Sequence, residues 1–161
     1  MLYLDHAATT PVRREVIAAI EPFLTQRFGN PSSHHTVGEA AADALDDARR
    51  RVATVLGMRP GDIVFTSGGT EANNLAIKGL SIAAAAGGTP AHIVTTPIEH
   101  ESVLASCEYL ERVHGYRVTH VPVSATGRAS PEDIAAALDD DTAVVALGYA
   151  NNEIGTVQDI R

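Results

Sequence analysis

The chain has 161 residues, 45% of them hydrophobic and 20% charged, and 20 acidic against 12 basic residues give a formal net charge of −8. That length suits one domain with room for a core, and an acidic balance without a basic run speaks against a nucleic-acid surface. The longest apolar stretch, around residues 83–86, is too short to span a bilayer. MLYLDHAATT lacks the basic and apolar regions of an export signal, and one cysteine gives no disulfide framework, so a cytoplasmic setting is expected.

In chain order, TTPVRREVIAAIEPFLTQRF reads as a helix with Thr10 as N-cap, Pro11 at its first position, and an apolar face of Ile17, Ile20, Phe23 and Leu24. GNPSSHH is a loop. A second helix runs from about Val37 to Leu56 and stops at Gly57, and RPGD is a turn. Strands and helices then alternate. DIVFTS is a short apolar strand, and TEANNLAIKGLSIAAAA is a helix closed by Gly87 and Gly88. HIVTT is a strand, EHESVLASCEYLERVHG a helix with a glycine stop, and YRVTHVPV a strand. SPEDIAAAL is a short helix capped by Ser130 with Pro131 first, and TAVVALGYA is a strand. The pattern β-α-β-α-β-α-β predicts an α/β fold, a parallel sheet covered by helices and joined by right-handed crossovers.

Ligands of such sheets bind beyond the carboxyl ends of the strands. Three polar loops are expected there on one side: SGGTEANN, PIEHES and YANNEIG. In the first, Ser67-Gly68-Gly69-Thr70 leaves a strand and opens a helix. Two glycines let backbone N–H groups approach a ligand closely, and the helix start supplies unpaired donors and partial positive charge. A phosphate is the natural guest, although a capped turn holding only water has the same sequence. The pattern is neither a P-loop nor G-x-G-x-x-G.

His100 begins a helix beside Glu99 and over the same edge. It is either a cap or surface residue, or a flat ring able to stack on an aromatic ligand and exchange protons near neutral pH. Asn151, Asn152 and Glu153 end the last strand, where asparagine either makes a turn or donates to a ligand oxygen. His6, His34 and His35 lie in or beside loops without metal-ligand spacing, so no metal site is expected. Cys107 falls with Val103, Leu110 and His114 at helical spacing, which reads as a buried face and not a nucleophile.

LDHAATTPV, FGNPSS, IVFTSGGTEANNLAIKG, IEH and NNEIGTVQDI together resemble the N-terminal part of a cysteine desulfurase. Such proteins form the NifS/IscS-like group of class V aminotransferases, pyridoxal-phosphate enzymes of the aspartate aminotransferase fold. The resemblance runs through the whole chain, in order and at matching spacing. It implies a three-layer large domain whose parallel sheet can become mixed when complete. Residues 1–15 would be an N-terminal arm or small-domain segment, and 16–161 the first half of the cofactor-binding domain. Gly69 and Thr70 would hold the cofactor's phosphate. His100 would stack on the pyridine ring and assist proton transfer, and Asn152 would bond the phenolic oxygen.

The implied reaction converts L-cysteine to L-alanine and carries the sulfur as a persulfide. The implied partners are a second subunit in a homodimer and an iron–sulfur scaffold or other sulfur acceptor; selenocysteine lyase, another class V enzyme and a non-catalytic binding module or split half are the alternatives. The family's Schiff-base lysine, pyridine-nitrogen aspartate and mobile cysteine normally lie beyond the point where this chain stops. Lys78 is the single lysine among the 12 basic residues. Helical geometry puts it away from the apolar face and in solvent, so it is not a substitute. The expectation is an N-terminal fragment that is inactive alone.

Overall fold

The computed structural model describes residues 2–86 and 92–160. The expected stop at Gly87 and Gly88 lies outside the described residues. The chain divides into two compact units, Met1–Phe65 and Thr66–Arg161.

The first unit is helical. Helix α1 covers Arg14–Thr25 and α2 covers Thr36–Leu56, followed by a 3-10 turn over Pro60–Asp62. The expected start of α1 at Thr10 and Pro11 is not observed. Arg13 is still extended (φ −64°, ψ 147°), and its carbonyl accepts the first ladder bonds from Val16 and Ile17. Helix α2 matches its expected span. The His35 ring nitrogen Nδ1 accepts from the Gly38 amide (3.2 Å), and Gly57 closes the helix in the left-handed region at φ 66°. Gly38 itself must lack a Cβ, which would come within 2.2 Å of the Ser33 carbonyl oxygen.

DIVFTS does not form the expected strand: Ile63–Phe65 carries no ladder among the described residues. A strand exists only with a neighbour to pair with. Here the Ile63 amide turns back to the Pro60 carbonyl, and the Ile63 carbonyl accepts from the Arg49 guanidinium.

The second unit is the expected α/β fold, with three strands where four were read. In order come α3 (Gly69–Ala85), β1 (His92–Thr95), α4 (Glu101–His114), β2 (Arg117–His120), α5 (Pro131–Ala137) and β3 (Thr142–Ala146). The sheet is parallel, in the order β2-β1-β3. Central β1 is buried along its whole length, so HIVT shows no polar-out alternation, and its polar His92 and Thr95 find partners inside. Ile93 packs with Ile77 of α3, Val103, Cys107 and Leu110 of α4, and Tyr116. Val94, pointing oppositely, lies beside Ile134 of α5.

That division of faces follows from topology. The chain steps from β1 to β2, then returns past β1 to β3. Right-handed crossovers in opposite directions lay their helices on opposite faces. The carboxyl ends of β1 and β3 therefore flank a switch point, where α/β sheets open a crevice.

A polar clamp ties the three strands together. The ring of His92, fully buried, reaches Thr142 Oγ1 at 2.9 Å through Nδ1 and Thr119 Oγ1 at 2.8 Å through Nε2. One side chain thereby joins β2, β1 and β3 and satisfies its own buried nitrogens. Among the described residues no helix is long and apolar enough to cross a membrane.

Candidate functional site

A cavity of about 330 Å³ opens at the carboxyl ends of β1 and β3. Its size is that of a small-molecule site. Its lining includes Asn73, Ala76 and Ile77 of α3; Ile98, Glu99 and His100 after β1; and Leu147, Gly148, Ala150, Asn151 and Asn152 after β3. Of the four expected site residues, His100 and Asn152 meet here. Gly69 and Thr70 are not among the lining residues, although the helix they open contributes one wall.

Two staples hold the loops together. Glu99 accepts from Thr96 Oγ1 (2.8 Å) with one carboxylate oxygen and from the Gly148 amide (2.9 Å) with the other. A Cβ on Gly148 would lie 2.8 Å from that second oxygen, so the staple needs glycine there. Asn151 donates through Nδ2 to the Ile98 carbonyl (2.7 Å), while its Oδ1 accepts the amides of Glu153 and Ile154. Asn151 is thus the turn-maker of the pair. Its exposed neighbour Asn152 bonds only Glu153 Oε1 through a donated N–H at 2.8 Å, leaving its Oδ1 without a donor among the described residues.

Gln158, buried, anchors the far end of the same loop: it donates to the Gly127 carbonyl (2.8 Å) and accepts from the Ala129 amide (3.1 Å). The strand-end loops expected from sequence contain Glu99 and Asn151, but the pairings that staple Glu99 to Gly148 and Asn151 to Ile98, and the anchoring role of Gln158, join residues far apart in the chain.

His100 caps α4, one of the two readings open from sequence, and it also lines the cavity. Its Nδ1 accepts from the Ser102 amide at 3.0 Å. At α3, a Cβ on either Gly68 or Gly69 would meet nothing within 4 Å. The first ladder donor is Ala72, bonded to the Gly68 carbonyl. The amides of Gly69, Thr70 and Glu71 have no acceptor among the described residues, nor has the Thr70 hydroxyl a partner. Ser67 is engaged within the turn. Its amide and hydroxyl both donate to the Glu71 carboxylate at 2.6 Å, and the hydroxyl bond first, then the amide bond, hold that acid below the usual carboxylate range.

Lys78 is half-buried, not in solvent. Its Nζ donates to Asn74 Oδ1 (2.6 Å) and sits 4.4 Å from the centre of the Tyr109 ring, because Tyr109 of α4 packs alongside that face of α3. Lys78 does not line the cavity. Cys107 is 1% exposed in the core, as expected. Burial, then the charges of Glu99 and Glu111, push its thiol up to about 11. His114, read as part of that buried face, is instead exposed at the end of α4, edge-on to Tyr109 and Tyr116. No group of three or more His, Cys, Asp or Glu gathers as a metal site among the described residues.

The aminotransferase class-V family model matches residues 2–161. The chain belongs to the aminotransferase class-V family. Within it, the chain is similar to "Cysteine desulfurase IscS" of Dictyoglomus turgidum, 46% identical over 160 residues, and to the protein of the same name from Methanosarcina thermophila, also 46% identical. Each match covers 99% of this chain but only 40% and 39% of the relative, so the chain spans about two-fifths of their length. Among solved structures, a "NifS-like protein" superposes with a TM-score of 0.91 at 38% identity, covering 98% of this chain and 42% of that one. "SspA in complex with cysteine" gives 0.89 at 40% identity, over 97% and 44%.

Proposed function

We propose that this chain is the N-terminal part of a cysteine desulfurase that uses pyridoxal 5′-phosphate, and that it supplies the wall holding the cofactor's phosphate and ring. The observation carrying this reading is the cavity at the switch point. A flat ring, His100, and an amide oxygen and nitrogen, Asn152, meet there beside the helix whose first donors are unspent.

The donor set at Gly69 and Thr70 fits a phosphate. Three unpaired amides and a hydroxyl are neutral donors at the positive end of a 17-residue helix, with no side chain across the approach to Gly68 and Gly69. When bound, the cofactor supplies an electron sink for the substrate's α-carbon. The chain's own residues do the binding and orienting. Gly69 and Thr70 would grip the phosphate, and His100 would lay its ring against the pyridine and take or give a proton. Asn152 would donate to the phenolic oxygen. Glu99 and Asn151 keep His100 and Asn152 on the same cavity.

The complete protein would release L-alanine from L-cysteine and carry the sulfur as a persulfide to an iron–sulfur scaffold or other acceptor, as a cytoplasmic homodimer. Residues 16–161 would form the first half of its cofactor-binding domain, preceded by an arm over 1–15. The side chains of Lys78 and Cys107 are engaged elsewhere, in the Tyr109 stack and the core, so neither serves as the covalent lysine or the sulfur carrier.

Titration with pyridoxal phosphate, followed by the cofactor's fluorescence, tests this reading. Pyridoxal without its phosphate is expected to bind about tenfold or more weakly, because charge-assisted hydrogen bonds contribute roughly 1.5–3 kcal/mol. Thr70→Ala should remove part of that difference. Incubation of this chain with cofactor and cysteine should release no sulfide. Equal affinity for the two ligands would overturn the phosphate assignment, and steady sulfide release would overturn the assignment of Lys78 and Cys107.

A further inference from the structure

The hydrogen bonds around His100 do more than cap a helix. Three donors and acceptors form a chain across two helices. Asn73 of α3 donates through Nδ2 to Ser102 Oγ at 2.8 Å. Ser102 Oγ in turn lies 2.8 Å from His100 Nδ1. The Ser102 amide donates to the same Nδ1 at 3.0 Å. Ser102 is 6% exposed, so water does not substitute for these partners.

The polarity of this chain is forced. A backbone N–H can only donate, so Nδ1 must keep its lone pair. Asn73 Nδ2 also can only donate, so the Ser102 oxygen accepts from it and turns its own hydrogen toward Nδ1. Both partners therefore require Nδ1 bare. A neutral imidazole then carries its hydrogen on Nε2.

We propose that Ser102 and Asn73 are positioning residues that fix His100 in the Nε2–H tautomer and lock its ring angle at the cavity. This rests on the reading of His100 as the ring that meets the cofactor. It adds that the proton available there sits on Nε2, and that α3, the phosphate-binding helix, sets it through Asn73. One helix would then govern both ends of the bound group: its first turn the phosphate, its second turn the orientation of the stacking ring.

The ring nitrogens can be read directly by two-bond proton–nitrogen NMR correlation on this chain. The measurement is made in alkaline buffer, where an imidazole is neutral, with no cofactor added. His100 is assigned by the signal that disappears in His100→Gln. In the wild-type chain, His100 is expected as the Nε2–H form. Ser102→Ala removes the hydroxyl but not the amide, and should shift the tautomer ratio toward Nδ1–H by about fivefold, the effect of one ordinary hydrogen bond. Asn73→Asp should act in the same direction, since its carboxylate takes the Ser102 hydroxyl hydrogen away from Nδ1. Ser102→Thr, keeping the hydroxyl, should return the wild-type ratio.

A wild-type ring protonated on Nδ1 would overturn the proposal without any variant. So would a ratio unmoved in both Ser102→Ala and Asn73→Asp. Because no cofactor is present, a failure here leaves the phosphate-dependence of pyridoxal-phosphate binding standing, and a failure of that binding leaves the tautomer result standing.

Discussion

The two units of this chain hold their helices by different means. In Met1–Phe65, α1 has no buried residue and α2 has two, Gly38 and Ala53. Order there rests largely on local devices, the His35 cap, the left-handed Gly57, the exposed Arg51–Asp47 pair at 2.7 Å and the two-pronged Arg59–Asp62 pair, joined by the Arg49 guanidinium, which bonds the Ile63 carbonyl and stacks on Phe65. In Thr66–Arg161, α4 alone buries Ser102, Val103, Ser106, Cys107 and Leu110 against α3 and a parallel sheet. Exposed ion pairs contribute only a few tenths of a kcal/mol each, whereas one buried leucine contributes several-fold more. The cavity sits on the second kind of structure.

The sharpest way to break the contrast is to empty the second core. Leu110 is fully buried in the cluster that holds Ile93 and Val103. Leu110→Ala should cost about 3–4 kcal/mol, lost transfer energy plus the cavity left behind. Chemical denaturation followed by the near-ultraviolet signal of Tyr116, in the same cluster, reads this directly. A cost below 1 kcal/mol would mean that the cluster is loosely packed and that the cavity's walls are not fixed by it.

A second effect, of up to about 3 kcal/mol by the relation between pKa and free energy, comes from Cys107 in the same core. Its thiol is raised from 9.0 to about 11 by burial first and by the Glu99 and Glu111 charges next. The folded state thus holds the proton more tightly than the unfolded chain. The stability this provides is complete below pH 9 and is lost as pH climbs from 9 to 11. Cys107→Ala should flatten that alkaline decline in denaturation midpoints measured across the range. A decline of equal steepness in Cys107→Ala would show that another group drives it.

The same contrast explains what could be read from sequence. Caps and stops are local: His100, Ser130 with Pro131, Gly57 and Gly115 act within one turn, and the spans of α2, α4 and α5 follow from them. The alternation of helix and strand, with strand-end loops carrying His100 and Asn152, located the cavity because parallel topology gathers such loops at one edge. What sequence could not show is non-local. DIVFTS has the composition of a strand but lacks a ladder, and the ends of a ladder lie far apart in sequence. Glu99 meets Gly148 across 49 residues and Asn151 meets Ile98 across 53. Tyr109 draws Lys78 off its solvent path through a contact distant in sequence that helical periodicity does not encode.

The smallest effect tests the first unit. Val55, on α2, is 85% exposed. Val55→Ala should change stability by less than about 0.5 kcal/mol, since little apolar area returns to water and alanine's better helix propensity offsets the loss. Amide hydrogen exchange along α2 resolves such a change residue by residue. If protection of the last two turns falls tenfold or more, equivalent to about 1.4 kcal/mol, then that apolar face is covered in solution. The first unit would then be held as the second is, by burial, and local capping would no longer account for its helices.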